Sequence, residues 1–349
     1  MQYFITGATG FLGSHIAETL VENSQEVVAL ARPESDTTFL ERLGVTIERG
    51  DFGDPEVLHR VLPSAEAVIH CAAKVGDWGP VEDYRQVNVE GLRRFLEACK
   101  GLALFRFLYI SSLGVYATKH HHGTDETEPL PKSHVDGYTQ SKVEAEQLAL
   151  KYYQDFGVPV VILRPGFIYG PRDRHLIPRI LEGLRLETIR YPGAKGYRAL
   201  NTIYVGNLVQ AVLLALQREE AVGQIFNLTD GEYVSKRQFV EAIANQMELP
   251  CPTRTLPLWL ARWITWWTET WAKATGAKTA PMFTQARLKF MGYNLDFSID
   301  KAKMELGYLP RYSFEDAIYL TMRWFKEQEA KGQSDPDAPP GIVKPQETS

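Results

Sequence analysis

The stretch ITGATGFLGSH, residues 5–15, decides the fold. It follows the β-rich run YFIT and places Gly7, Gly10 and Gly13 where an apolar helical face begins, with Phe11, Leu12, Ile16, Ala17 and Leu20 turned inward. Glycines at a strand-to-helix junction allow a tight turn, close approach of backbone to a pyrophosphate, and close packing of helix on strand. The first helical amides and the dipole supply the donors. The spacing is GxxGxxG, not the GxGxxG of the usual dinucleotide fingerprint, and a turn that merely reverses the chain is the competing reading. The expected cofactor contacts in this turn are Gly7, Thr9, Gly10, Phe11, Leu12 and Gly13.

Outward from this turn, EVVALA, VTIER, AVIH, FRFLYI and VPVVILR read as successive strands separated by longer helical patterns. Each run is apolar on both faces, as strands covered by helices on either side must be. The expected fold class is α/β: a Rossmann-type doubly wound parallel sheet with a smaller, mostly helical substrate lobe. The dinucleotide-binding domain spans residues 1–170, with 201–230 returning to it, and residues 171–200 and 231–330 form the lobe. The tail, residues 331–349, is rich in Pro, Gly and polar residues and is expected to be disordered.

A chain of 349 residues, 44% hydrophobic and 23% charged, can bury a sizeable core. The net charge of −5 and the want of any Lys/Arg run argue against a nucleic-acid partner. Cys71, Cys99 and Cys251 are widely spaced with no CxxC pair, which argues against a disulfide framework or a structural zinc site and fits a reducing cytoplasm. The apolar run from Tyr3 to Gly7 is too short for a signal-peptide core, and no stretch of about 18 apolar residues is present to span a membrane. The run His120 to His122 reads as an exposed polar loop, because consecutive loop residues point apart and no nearby acid or cysteine completes a coordination sphere; no metal is expected.

The second strand ends at Arg32, 19 residues beyond Gly13. That is near the distance of about 20 at which a dinucleotide fold addresses the adenosine ribose. An acid there favours NAD, whereas an arginine pairs with a 2′-phosphate, so NADP(H) is the preferred expectation. Asp36 offers a ribose contact and keeps NAD(H) open. Asp51 and Phe52, after the third strand, are candidates for adenine contact.

In DGYTQSKVEAEQLALKYYQDF, residues 136–156, Tyr138 and Lys142 share a helix face with Ala145, Ala149, Tyr152 and Phe156. That stripe is otherwise apolar, so Lys142 points inward beside Tyr138. An adjacent ammonium favours phenolate and lowers the tyrosine pKa from about 10 towards neutrality, where it exchanges protons. Ser111 and Ser112 leave the carboxyl end of the fifth strand, on the rim where open α/β sheets bind ligands. A hydroxyl there can hydrogen-bond a carbonyl oxygen.

Taken together, TGATGFLG (6–13), SSLGVY (111–116), YTQSK (138–142) and RPGFIYGP (164–171) resemble the extended short-chain dehydrogenase/reductase family, a likeness that runs to about residue 325. The resemblance implies that Ser112 orients the substrate oxygen, that Tyr138 transfers the proton, and that Lys142 holds the nicotinamide ribose while lowering the tyrosine pKa. It also implies that Asn88 and the backbone at Ala72 and Ala73 line the cofactor groove, that Pro165 opens the segment beside the nicotinamide, and that a homodimer forms. Residues 72–91 and 297–318 are most similar to the branch of 3β-hydroxysteroid dehydrogenases, sterol-4α-carboxylate 3-dehydrogenases and 2-alkyl-3-oxoalkanoate reductases, which implies an apolar small-molecule substrate. Sugar-nucleotide epimerases share the triad, so the triad does not choose the substrate.

The segment WITWWTETW, residues 263–271, extends a tryptophan stripe. After Pro257, Trp259, Trp263, Trp266, Trp267 and Trp271 occupy an arc of roughly 140° on a helix, with Arg262 and Glu269 outside it. We expect part of this face to pack as core and part to wall the pocket, with Trp266 and Trp267 joining Trp78 and Tyr169 as substrate contacts. Membrane-surface contact is the third reading, though the helix lacks the basic polar face usual there.

Overall fold

The apolar runs become strands. The computed structural model describes residues 1–332 apart from Gly276, Lys278, Ala280, Met282 and Phe283. The strands are β1 (Gln2–Thr6), β2 (Glu26–Ala31), β3 (Thr46–Arg49), β4 (Ala67–His70), β5 (Arg106–Ile110), β6 (His121–Thr124), β7 (Val160–Pro165), β8 (Phe167–Tyr169), β9 (Tyr191–Pro192), β10 (Thr202–Tyr204), β11 (Ile225–Leu228), β12 (Thr255–Leu256) and β13 (Leu295–Phe297). The helices are α1 (Phe11–Glu22), α2 (Thr38–Arg42), α3 (Pro55–Val61), α4 (Val81–Arg85), α5 (Leu92–Cys99), α6 (Gly137–Phe156), α7 (Leu176–Arg185), α8 (Val205–Gln217), α9 (Lys236–Gln246), α10 (Leu258–Ala274), α11 (Gln285–Gly292) and α12 (Phe314–Gly332). The tail expected to be disordered lies, from residue 333 on, outside the described residues.

Seven strands form one parallel sheet in the order β11-β7-β5-β4-β1-β2-β3. Alternate residues of β1 divide the two apolar layers. Tyr3 and Ile5 pack with Ile16 and Leu20 of α1 and Leu208 of α8, while Phe4 packs on the opposite face with Leu58 of α3 and Phe95 of α5. From β1 the chain winds to β2 and β3 on one side, then crosses to β4 and β5 on the other. The carboxyl ends of β1 and β4 therefore flank the point where the winding reverses, which is where such sheets open a crevice.

Beyond the sheet, β6 pairs with β13, β8 with β10 and β9 with β12, all in parallel. A third apolar cluster, with Leu113, Val115, Tyr116 and Val143 against Leu295 and Phe297, joins this region to the sheet. Here one member of the histidine run departs from the exposed loop expected of it, while His120 and His122 are exposed. His121 is buried in β6, its ring stacked 4.5 Å from Phe297 and bonded to Thr124 Oγ1 and the Ala117 carbonyl. The apolar neighbour across the strand pair draws it in. Among the described residues no group of three His, Cys, Asp or Glu side chains could hold a metal ion.

Helix α6 lies on the sheet with a charged row inside. Glu146 accepts two hydrogen bonds from Arg164 Nε, at 3.0 and 3.2 Å, and one from Nη2 at 2.6 Å, with both side chains buried. Arg164 Nη1 donates to Tyr116 Oη at 2.8 Å, and Tyr116 Oη donates to Asn227 Oδ1 at 2.9 Å. Removing one partner of such a pair strands the other without water. Glu146→Gln is therefore expected to cost about 3 kcal/mol of stability, measured by urea denaturation. A loss within experimental error would mean that the pair does not fasten α6 to β7.

Candidate active site

The glycine turn is held by close backbone approach. A Cβ on Gly7 would stand 2.7 Å from Ala72 N, and one on Gly13 would stand 2.2 Å from the Gly7 carbonyl oxygen. Both glycines are therefore required by packing, and Gly7 also takes φ +73°. Gly10 is exposed and caps α1 without any side-chain hydrogen bond. The amides of Phe11, Leu12 and Gly13 consequently face the crevice as helix-terminal donors, beside half-buried Thr9. Ser111 Oγ is buried at the crevice end of β5 without a protein partner among the described residues. A cradle that admits no side chain, open helical amides and an orphaned hydroxyl fit a dinucleotide.

The far end of the groove is less specific. Arg32 follows β2, its side chain exposed and 3.3 Å from the Glu34 carboxylate, so it is accessible to a phosphate but shares its charge. Arg49 fixes the loop by donating to the carbonyls of Arg32 and Ser35, at 3.1 and 2.8 Å. Asp36 accepts from Thr38 N and Oγ1, and these bonds hold its carboxyl below the usual range. Asp51 accepts from Gly53 N and is exposed. Phe52 turns its ring onto His70, 4.9 Å away, and under Gly91.

Asn88 is buried, and its amide oxygen and nitrogen are both engaged by protein. It accepts from Lys74 N at 2.7 Å and donates to the Lys74 carbonyl at 3.0 Å and to Ser141 Oγ at 2.9 Å. Ser141 Oγ in turn donates to the Tyr138 carbonyl at 2.8 Å. Asn88 therefore positions the Ala72–Ala73 segment relative to α6. Ser141, which links the two, was not singled out from the sequence; its place one turn after Tyr138 was the available signal.

Asp136 caps α6 by accepting from Thr139 N at 2.8 Å, which fixes where Tyr138 begins the helix. A Cβ on Gly114 would lie 3.0 Å from Thr139 Cγ2, so the serine loop abuts that first turn. In this loop Ser112 Oγ accepts from Gly114 N at 3.0 Å, leaving its own proton to donate. Lys142 is buried, donates to the Ile110 carbonyl at 2.7 Å, and lies 4.6 Å from the centroid of the Tyr109 ring. Ser112 and Lys142 thus share the carboxyl rim of β5, and Tyr138 stands one helical turn before Lys142 on α6.

The protonation state differs from the simple expectation. Burial, with a smaller effect from Asp136, raises the Tyr138 pKa above its ordinary value, and Lys142 does not offset this. Tyr138 is therefore held as the phenol, the form that donates a proton.

Lys289 was also missed. It is buried on α11 and donates to the Gly114 carbonyl at 2.6 Å, bracing the serine loop from the lobe. Trp78 Nε1 donates to the Ala277 carbonyl at 2.9 Å, and Asp77 pairs with Arg287. These contacts join the segment after β4 to the chain around α11, and half-buried Trp78 stands at that junction. A cavity of about 300 Å³ lined by Asn201, Thr229, Glu232 and Asp300 contains none of the three catalytic candidates.

Pro165 ends β7 and is buried at the sheet's carboxyl edge. Two substrate expectations fail. Tyr169 is fully buried and packs against Phe239, with ring centroids 5.2 Å apart, so it belongs to the core. Trp266 and Trp267 are 52% and 51% exposed on the outer face of α10 and wall no pocket. The helix instead turns Ala261, Thr265, Glu269 and Ala272 inward.

Comparison with known proteins gives a family match and full-length relatives. A sequence model described as the NAD dependent epimerase/dehydratase family matches residues 3–229. The chain is 31% identical to a 2-alkyl-3-oxoalkanoate reductase of Shewanella oneidensis, over 90% of this chain and 84% of that one. It is 28% identical to the sterol-4-alpha-carboxylate 3-dehydrogenase, decarboxylating, of Schizosaccharomyces pombe, over 90% and 95%. The fold superposes on UDP-glucuronic acid 4-epimerase from Bacillus cereus in complex with NAD with a TM-score of 0.73, at 24% identity, covering 94% of this chain and 99% of that one.

Burial lowers the Lys142 pKa from 10.5 to about 8, opposed by the Glu146 carboxylate. The unfolded chain holds that proton more tightly, so the native state bears a desolvated ammonium at neutral pH and is relieved of it as pH rises from about 8 to 10.5. Relative to Lys142→Met, the wild type should gain up to about 3 kcal/mol of stability across that window. Parallel urea-denaturation curves at each pH test this, and a constant difference would place the ammonium in water.

Proposed function

The chain belongs to the NAD dependent epimerase/dehydratase family, the extended short-chain dehydrogenases/reductases, and is an oxidoreductase; from that premise we propose its reaction. It interconverts a secondary alcohol and a ketone on a bulky apolar substrate, either a 2-alkyl-3-oxoalkanoate or a sterol-like ring system, and prefers NADP(H) to NAD(H). The observation that carries the reading is the buried Lys142 ammonium one helical turn from Tyr138, with the donor Ser112 beside them. An inward lysine at the ligand-binding rim has a chemical use there that core packing does not supply. The choice of substrate is supported by the relatives named for alkyl and sterol ketone chemistry.

The glycine turn and the amides of α1 would hold the pyrophosphate, and Arg32 a 2′-phosphate. A nicotinamide dinucleotide supplies the hydride. In reduction, Ser112 donates a hydrogen bond to the substrate carbonyl and Tyr138 delivers its proton to the same oxygen as charge develops there. As that charge develops, the Lys142 ammonium is drawn from the Ile110 carbonyl towards the phenolate left behind, one helical turn away. In oxidation, that phenolate withdraws the alcohol proton.

Tyr138→Phe should lower turnover by about 10²–10⁴-fold while NADP(H) affinity stays within experimental error. Retention of most turnover would remove Tyr138 from the proton path. Arg32→Ala should weaken NADP(H) binding about tenfold and leave NAD(H) binding unchanged, as titrated by protein fluorescence; equal effects on both would exclude Arg32 as the phosphate reader. Mass spectrometry of nucleotide released on denaturation separates this reading from a sugar-nucleotide epimerase. Near-stoichiometric NAD surviving purification favours the epimerase, because such an enzyme recycles its hydride on a retained cofactor.

A further inference from the structure

Helix α10 is folded inside out for a soluble protein. Its inward face is small or polar, with Ala261, Thr265, Glu269 and Ala272 all buried. Its outward face carries Trp259, Trp263, Trp266, Trp267 and Trp271 at 71%, 57%, 52%, 51% and 72% exposure. Over a helix roughly 25 Å long, that amounts to an apolar patch of several hundred Å², near the upper end of what monomers leave open. The rings are mutually ordered, Trp266 and Trp263 each lying edge-on to Trp267 at 5.1 and 6.2 Å.

Charge selects the occupant. Between Leu249 and Leu295 the sequence carries Arg254, Arg262, Lys273 and Lys278, besides Arg287 paired with Asp77 and the buried Lys289, against the single acid Glu269, in a chain whose net charge is −5. Glu269 is buried and accepts from Gln285 N at the start of α11, so it offers no negative charge outward. Arg262, just outside the tryptophan arc, and Arg254, shortly before the helix, are both exposed. A second copy meeting this face about a two-fold axis would set Arg262 against a helix whose single carboxylate, Glu269, is buried. Indole rings with exposed arginines nearby suit the headgroup layer of an anionic bilayer, where tryptophan is favoured and each nearby cation adds attraction. No helix among the described residues is long and apolar enough to cross a membrane, so contact is with the surface.

We propose that the tryptophan face of α10 docks the protein onto anionic lipid bilayers. Docking does not depend on the proposed reaction; only its use, drawing an apolar ketone from the lipid, rests on that reading. The test uses full-length protein, without substrate, mixed with phosphatidylcholine vesicles lacking or containing phosphatidylglycerol. The wild type should sediment with the phosphatidylglycerol vesicles, shift its tryptophan emission to the blue, and be released by salt. The double variant Trp263→Ala/Trp267→Ala should bind at least about tenfold more weakly with an unchanged melting temperature. Wild type remaining in the supernatant overturns the proposal, as does a double variant that binds as well as wild type. A tryptophan-dependent dimer that ignores vesicles overturns it in favour of a second copy.

Discussion

Three polar side chains one turn apart, Tyr138, Lys142 and Glu146, lie on the face of α6 that must pack on an apolar sheet. Each needs a partner there, because an unpaired polar group in such a place costs more than the packing returns. Lys142 finds the Ile110 carbonyl of β5, and Glu146 finds Arg164 of β7, which continues through Tyr116 to Asn227 of β11. A slide of one turn, about 5.4 Å, would break both attachments at once. The register of α6 is thereby fixed, and with it the position of Tyr138 at the carboxyl rim. Glu146 acts twice, since its charge also keeps Lys142 from losing more of its basicity to burial.

The other wall of the crevice is set by backbone contact. Gly7 touches Ala72 across the gap between β1 and β4, and Asn88 ties the segment after Ala72 to Ser141 on α6. The glycine turn and Tyr138 are consequently parts of one bonded frame.

This frame was largely legible in the sequence. Strands buried on both faces betray themselves by unbroken apolar runs, the glycine turn by its spacing, and Tyr138 with Lys142 by a shared helical stripe. What escaped reading depends on partners remote in sequence. Lys289 and Gly114 are 175 residues apart, and nothing in either neighbourhood announces the other. His121 looked exposed because its cover, Phe297, arrives from a distant strand. Tyr169 was expected among the substrate contacts, while its surroundings, Tyr204 and Phe239, make it core.

The tryptophan helix failed for a different reason. Periodicity reveals that a helix has two faces but not which of them is buried, since the surface it meets decides that. In α10 the inward choice is enforced by Glu269, whose carboxylate accepts from the first amide of α11, where helix-terminal donors favour a negative charge. Turning the indoles inward would pull that carboxylate away and leave the amide bare. The same anchor links α10 to α11, and α11 carries Arg287 to Asp77 and Lys289 to the serine loop. The outward aromatic face and the brace behind Ser112 are therefore two ends of one helical pair.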